Sequence, residues 1–175
     1  MNRTPVVTFV GKSNSGKTTF LEKVIACLTE RGYRVATVKH HAHATDVDTE
    51  KKDSWRHARA GAVVSMVSSP MQFSVVRKVE SEVTMEECIK QAQEAGCDIL
   101  LAEGFKKLDL PKVELSRKER SDEPICEPDE VEAFVTNNPA LARKFADTVP
   151  VYDLNDSEGF CNFLARRFIE RQKND

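Results

Sequence analysis

An α/β fold, with a mostly parallel sheet, helices on both faces and a β-hairpin extension, follows from three features of the sequence. Short apolar runs alternate with amphipathic stretches along most of the chain. A glycine-rich loop separates the first apolar run from the first amphipathic stretch, and two β-branched runs flank Pro70 as a hairpin would.

The 175 residues suit one domain, expected to span 1–175. Hydrophobic residues at 40% and charged residues at 31% exclude a disordered chain. The net charge of -2, from 26 basic and 28 acidic side chains, implies no bulk attraction to nucleic acid or anionic lipid. No apolar run approaches the roughly 18 residues of a membrane span, and Val6 to Val10 is too short for a signal-peptide core. Cys27, Cys88, Cys97, Cys126 and Cys161 are odd in number and never spaced C-x-x-C, so a reducing cytoplasm is expected rather than a disulfide framework.

Val6 to Val10 is a β-branched run ended by Gly11, the pattern of a strand buried on both faces. From Lys17 to Glu30, Phe20, Leu21, Val24, Ile25 and Leu28 form one helical stripe, with Gly32 as the stop. Val35 to Val38 is the second strand. His40 to Asp53 is a long polar connection without periodicity, of the length that tends to be functional or mobile. Ser54 is placed to cap a short helix ending near Gly61, and Val63 to Val67 with Phe73 to Val79 make the hairpin. Thr84 and Glu87 have capping-box spacing for a helix ending at Gly96. Asp98 to Ala102 is another buried strand, with Glu103-Gly104 at its carboxyl end. Val113 to Leu115, Ala133 to Val135 and Val151 to Leu154 complete the strands, and Lys118 to Glu130 reads as a charged surface loop. Phe160, Phe163, Leu164 and Phe168 give the segment Ser157 to Arg171 one apolar face, so a docked helix is expected.

In such sheets ligands sit beyond the carboxyl ends of the strands. Gly11, the His40 loop, Glu103 and Thr136 all follow predicted strands and should converge on that edge. Gly11-Lys12-Ser13-Asn14-Ser15-Gly16-Lys17-Thr18 satisfies G-x-x-x-x-G-K-[ST] in full, flanked by the required strand and helix. The glycines let backbone N–H groups turn inward around phosphate oxygens, the helix N-terminus adds partial positive charge, Lys17 neutralises β and γ oxygens, and Thr18 can ligate magnesium. The fold class is therefore a P-loop NTPase. Gly11, Ser13, Asn14, Ser15, Gly16, Lys17, Thr18 and Thr19 are the expected phosphate contacts. Glu103, an acid closing a short apolar strand, is the expected magnesium carboxylate.

His40, His41, His43 and His57 lie in one region, interleaved with Asp46, Asp48 and Asp53. Imidazole and carboxylate suit zinc or nickel, but H-H-x-H lacks the spacing of a closed site, and a polar loop folding over a nucleotide is the preferred reading. Lys39 can place its ammonium near the phosphates, and Asp46 or Asp48 can bind magnesium or orient an attacking water.

Together these residues resemble the molybdopterin-guanine dinucleotide biosynthesis protein B family. The resemblance rests on Gly11 to Thr18, Val38-Lys39-His40-His41, Asp46-Val47-Asp48, Lys52-Asp53-Ser54, Ala60-Gly61-Ala62, Ala102-Glu103-Gly104-Phe105-Lys106, Asp153-Leu154-Asn155-Asp156 and Glu158-Gly159. It implies a homodimer that binds GTP with Mg2+, hydrolyses it weakly, and assists a partner guanylyltransferase in attaching GMP to molybdopterin. By matching position, Thr18, Asp48 and Glu103 would lie at the metal, with Asp48 and Glu103 also serving catalysis, and Lys39 near the phosphates. Glu50-Lys51 stands where the family usually has proline and glycine. Thr136-Asn137-Asn138 stands where an aspartate often follows the strand, so Asn137 is expected to read the base with only a modest preference for GTP over ATP. The bland alternative is that Asn137 caps the helix beginning near Pro139. Two other functions fit the residues: a metal-delivery GTPase using His40 to His43, or a small-molecule P-loop kinase with Arg117 or Arg120 as its lid arginine.

Overall fold

A computed structural model of the chain describes residues 3–41 and 48–171. It forms two compact units, one built from 1–40 and 85–175, the other from 41–84.

The larger unit carries a six-stranded sheet of β1 (Val6–Val10), β2 (Val35–Lys39), β5 (Ile99–Glu103), β6 (Lys112–Ser116), β7 (Ala133–Thr136) and β8 (Val151–Tyr152), in the order β2-β5-β1-β6-β7-β8. Every neighbouring pair is parallel, so all carboxyl ends share one edge. The apolar runs alternate between faces as the pleat requires. Val7 and Phe9 of β1, Ile99 and Leu101 of β5, and Ala133 and Val135 of β7 pack with Phe20, Val24 and Leu28 of α1 (Lys17–Glu30) and Phe160 and Leu164 of α5 (Ser157–Leu164). Val6, Leu100 and Ala102 point the other way, against Met85, Ile89 and Ala92 of α3 (Met85–Glu94). Phe134 stacks on Phe145 of α4 (Pro139–Ala146) at 3.8 Å between centroids. Both faces are thus covered, as expected, and α5 runs on through a π-helical turn over Ala165–Glu170.

The smaller unit holds α2 (Asp53–Arg59) and an antiparallel hairpin of β3 (Val64–Ser68) and β4 (Phe73–Arg77). Ser54 is not the cap of α2. The cap position lies two residues earlier, at Lys52, with Asp53 in the first turn, where its charge complements the helix dipole.

Candidate functional site

The loop between β1 and α1 is shaped for polyphosphate by backbone conformations that few residue types tolerate. Gly11 has φ +148°, and a Cβ there would sit 2.3 Å from the Leu115 carbonyl oxygen of β6. Asn14 has φ +61°, a left-handed conformation that asparagine adopts more readily than most residues. Gly16 takes φ +91° at the N-cap of α1, and the helical ladder starts with Phe20 N–H donating to the Gly16 carbonyl at 2.9 Å. The N–H groups of the turn before it, including those of Lys17, Thr18 and Thr19, therefore face the edge where an anion would be held. Ser13 lies exposed on the loop, while Ser15 is buried under it.

Lys17 curls over this loop. Its ammonium donates to the carbonyls of Gly11 and Lys12, both at 2.9 Å, with the Ser15 hydroxyl at 3.4 Å. Burial lowers its pKa; Glu103 opposes that shift, and the cations Lys106 and Lys39 add to it. These charged groups define one side of the site. Lys39 closes β2 beside Glu103 at the end of β5, in register, with Nζ 3.6 Å from Oε1. The Glu103 side chain is only 15% exposed, so its charge acts in a partly desolvated setting. Three cations and one carboxylate at the sheet edge suit a polyanion accompanied by a hard cation.

The other side of the site is formed by the segment after β6, which the sequence presents as a charged surface loop, with Arg117 a candidate lid arginine only in the kinase alternative. The Arg117 guanidinium lies against Gly16, 3.0 Å from where a Cβ would project. Lys12 donates its ammonium to the Ser121 hydroxyl. Glu114, buried in β6, accepts from the N–H groups of Ile125 and Cys126 at 2.7 and 2.8 Å. Burial raises the Glu114 pKa, against the pull of those two donors. The charged surface loop is therefore tied to the phosphate loop through Lys12 and to β6 through Glu114.

Asn137 is not the helix cap. That role belongs to Asn138, whose side chain accepts from Ala140 N–H at 3.0 Å. Asn137 instead accepts from Lys118 N–H at 2.8 Å and donates to both Glu119 oxygens at 3.2 Å.

Asp48 belongs to the smaller unit. Its Oδ1 accepts from Thr49 N–H at 2.8 Å, while Oδ2 is buried and has no hydrogen-bond partner among the described residues. A buried carboxylate oxygen without a donor fits a metal ligand. Lys51 holds φ +69°, so the loop keeps a glycine-like turn where the resembled family has glycine, at a cost of about 1–2 kcal/mol. His43 and Asp46 fall outside the described residues. Among the described residues no group of three or more His, Cys, Asp or Glu could hold a metal ion.

The family described as Molybdopterin guanine dinucleotide synthesis protein B matches residues 6–137, from β1 to the residue after β7. The chain belongs to this family. A molybdopterin-guanine dinucleotide biosynthesis adapter protein of Haemophilus influenzae is 37% identical over 79% of this chain and 78% of its own length. The Escherichia coli adapter protein is 31% identical over 91% of each. The crystal structure of Bacillus subtilis MobB superposes with a TM-score of 0.71, at 27% identity over 94% of this chain and 98% of that one. Membership places the chain among the adapter proteins of molybdopterin-guanine dinucleotide biosynthesis, and the MobB fold is the α/β fold expected from the sequence. No helix among the described residues is long and apolar enough to cross a membrane.

Proposed function

We propose that this chain binds GTP with Mg2+ at the Gly11–Thr18 loop, hydrolyses it slowly, and assists a partner guanylyltransferase in attaching GMP to molybdopterin. The observation that carries this reading is the Lys17 ammonium, held at 2.9 Å from two carbonyls of its own loop, with Glu103, Lys106 and Lys39 around it. An ammonium so placed can exchange these neutral carbonyl acceptors for anionic phosphate oxygens, gaining the attraction between opposite charges.

Each residue has a part. The N–H groups of Ser13, Asn14, Ser15, Gly16, Lys17, Thr18 and Thr19 surround the phosphates, and Lys17 and Lys39 neutralise their charge. The Thr18 hydroxyl and the Glu103 carboxylate are hard oxygen donors of the kind Mg2+ takes. Held by these residues, the ion would help offset the negative charge of the phosphates. Asp48 is proposed as a metal carboxylate on the family's order of motifs, and its buried Oδ2, without a hydrogen-bond partner among the described residues, supports that role. Glu103 and Asp48 would also orient the attacking water.

We propose further that the chain works in the cytoplasm as a homodimer joined through the β3–β4 hairpin. The hairpin exposes Met66, Phe73 and Val75 by 64%, 66% and 51%, an apolar surface that a second copy would cover.

The test is formation of the guanine dinucleotide by purified guanylyltransferase and molybdopterin at limiting GTP, with and without this chain. Product should form faster with the chain present, and phosphate should appear slowly with no acceptor added. Product formation unchanged by the chain at any GTP concentration would overturn the adapter reading.

A further inference from the structure

The turn 117–122 reaches from the phosphate loop to the end of β7. At one end Arg117 lies against Gly16, and Lys12 holds Ser121. At the other, Asn137 is joined to Lys118 and Glu119, and Asn138 Nδ2 donates to Asp122 Oδ1 at 2.9 Å. β7 is two strands from β1 in the sheet, about 10 Å at the usual strand spacing. That span is comparable to the distance from a β-phosphate past the ribose to a base. The charged groups gathered by Lys17, namely Glu103, Lys106 and Lys39, include residues of β5 and β2 on the opposite flank of β1. A nucleotide with its terminal phosphates there would lay its base toward β7.

At the end of β7 the neutral Asn137 has little left to offer, since its carbonyl oxygen already accepts from Lys118 and its amide already donates to Glu119. Glu119 is exposed at this edge, with both carboxylate oxygens 3.2 Å from the Asn137 amide nitrogen. Of the other nearby acids, Asp122 is held by Asn138. Asp153 Oδ1 accepts from Asn155 N–H and its amide, at 2.8 and 3.0 Å, and Asp156 caps α5 through Gly159 N–H. Asp147 closes α4, which by then has run back to the amino edge of the sheet.

We propose that Glu119 is the base-reading residue of this chain and selects guanine. Guanine shows two adjacent donors, N1–H and the exocyclic amine, to a group that only accepts; adenine shows an acceptor, N1, beside its amine, and would set a lone pair against the carboxylate. A hydrogen bond from its own backbone, then the Asn137 amide, lowers the Glu119 pKa, so the carboxylate is ionised at neutral pH. Asn137 is a positioning residue that fixes the Glu119 carboxylate. This inference rests on the nucleotide-binding role proposed above.

The test is calorimetric binding of GTP, ATP and xanthosine triphosphate, each with Mg2+, to the full chain and to two variants. The wild-type chain should prefer GTP over ATP by about ten- to a hundredfold, the range of paired charge-assisted hydrogen bonds. Glu119→Gln should lose most of that preference with ATP affinity unchanged. It should also gain affinity for xanthosine triphosphate, because an amide can accept from N1–H while donating to the 2-oxo group. Asn137→Ala should reduce the GTP-to-ATP ratio without weakening ATP, whereas a purely structural role would weaken both. An unaltered ratio in Glu119→Gln would remove Glu119 from the base site while leaving the nucleotide-binding reading intact. If neither GTP nor ATP binds the wild-type chain, that reading falls and this one with it.

Discussion

Replacing Gly11 with alanine should damage both the fold and the site, and the damage can be separated into two parts. The backbone at φ +148° is one that side chains rarely adopt, a strain of about 1–3 kcal/mol. The new methyl would also meet the Leu115 carbonyl oxygen at 2.3 Å and the Ser15 hydroxyl at 2.9 Å. The carbonyl belongs to β6, which is paired with both β1 and β7, so relief requires the strands to part beneath the phosphate loop. Overpacking of that kind costs about 1–3 kcal/mol more. Gly32→Ala is the matched control, because φ is +85° there but nothing lies within 4 Å of the added methyl, leaving a conformational cost of about 1–2 kcal/mol. Urea denaturation followed by circular dichroism should find Gly11→Ala the less stable by about 1–3 kcal/mol, a melting temperature lower by roughly 2–4 °C per kcal/mol. Gly11→Ala should also bind GTP at least tenfold more weakly, while Gly32→Ala binds normally. Equal stability losses in the two variants, with GTP binding unchanged, would refute the close contact on which this reasoning depends.

Glu103→Gln keeps the side-chain shape but removes the charge a hard cation prefers, so calorimetry should show GTP binding weakened in Mg2+ and little changed with a chelator present; equal effects would show that Glu103 does not serve the metal. Because burial raises the folded-state pKa of Glu114, the native chain holds its proton longer than the unfolded one, and this contribution to stability is present at low pH and is lost as pH rises through the folded value. Glu114→Gln should therefore flatten the stability profile between the ordinary carboxylate range and neutrality, and parallel profiles for variant and wild type would refute this. Light scattering at micromolar concentration should report a dimer, reduced to a monomer by Phe73→Lys in the β3–β4 hairpin; a monomeric wild type would rule the homodimer out.

What the sequence reveals about this protein is what local periodicity encodes. β1 and α1 begin and end where the β-branched run, the glycines and the helical stripe place them, because each signal lies within a few residues of the element it specifies. The β3–β4 hairpin is legible for the same reason. Lys17, Lys39 and Glu103 do meet at one edge, since parallel strands put all their carboxyl ends together. The segment after β6 is different. Its order comes from Glu114 bonding to Ile125 and Cys126, Lys12 to Ser121, and Asn137 to Glu119, contacts between residues up to 109 positions apart that no periodicity announces. The cap on α4 shows a finer limit: with Asn137 and Asn138 adjacent, residue type cannot say which one caps, and the choice is settled when Asn137 is drawn to Glu119. Lys106 has no signal beyond its place in Ala102-Glu103-Gly104-Phe105-Lys106, and Arg117 stands out in the sequence only as a candidate lid arginine.

The claim on which everything else depends is that the Gly11–Thr18 loop holds a nucleoside triphosphate through Lys17. Titration calorimetry of GTP with Mg2+ into the wild-type chain and into Lys17→Ala tests it directly, with circular dichroism confirming that both are folded. The wild type should bind one GTP per chain, and the variant, still folded, should bind at least a hundredfold more weakly. GTP binding of equal strength in the two proteins, or none in the wild type, would contradict the claim.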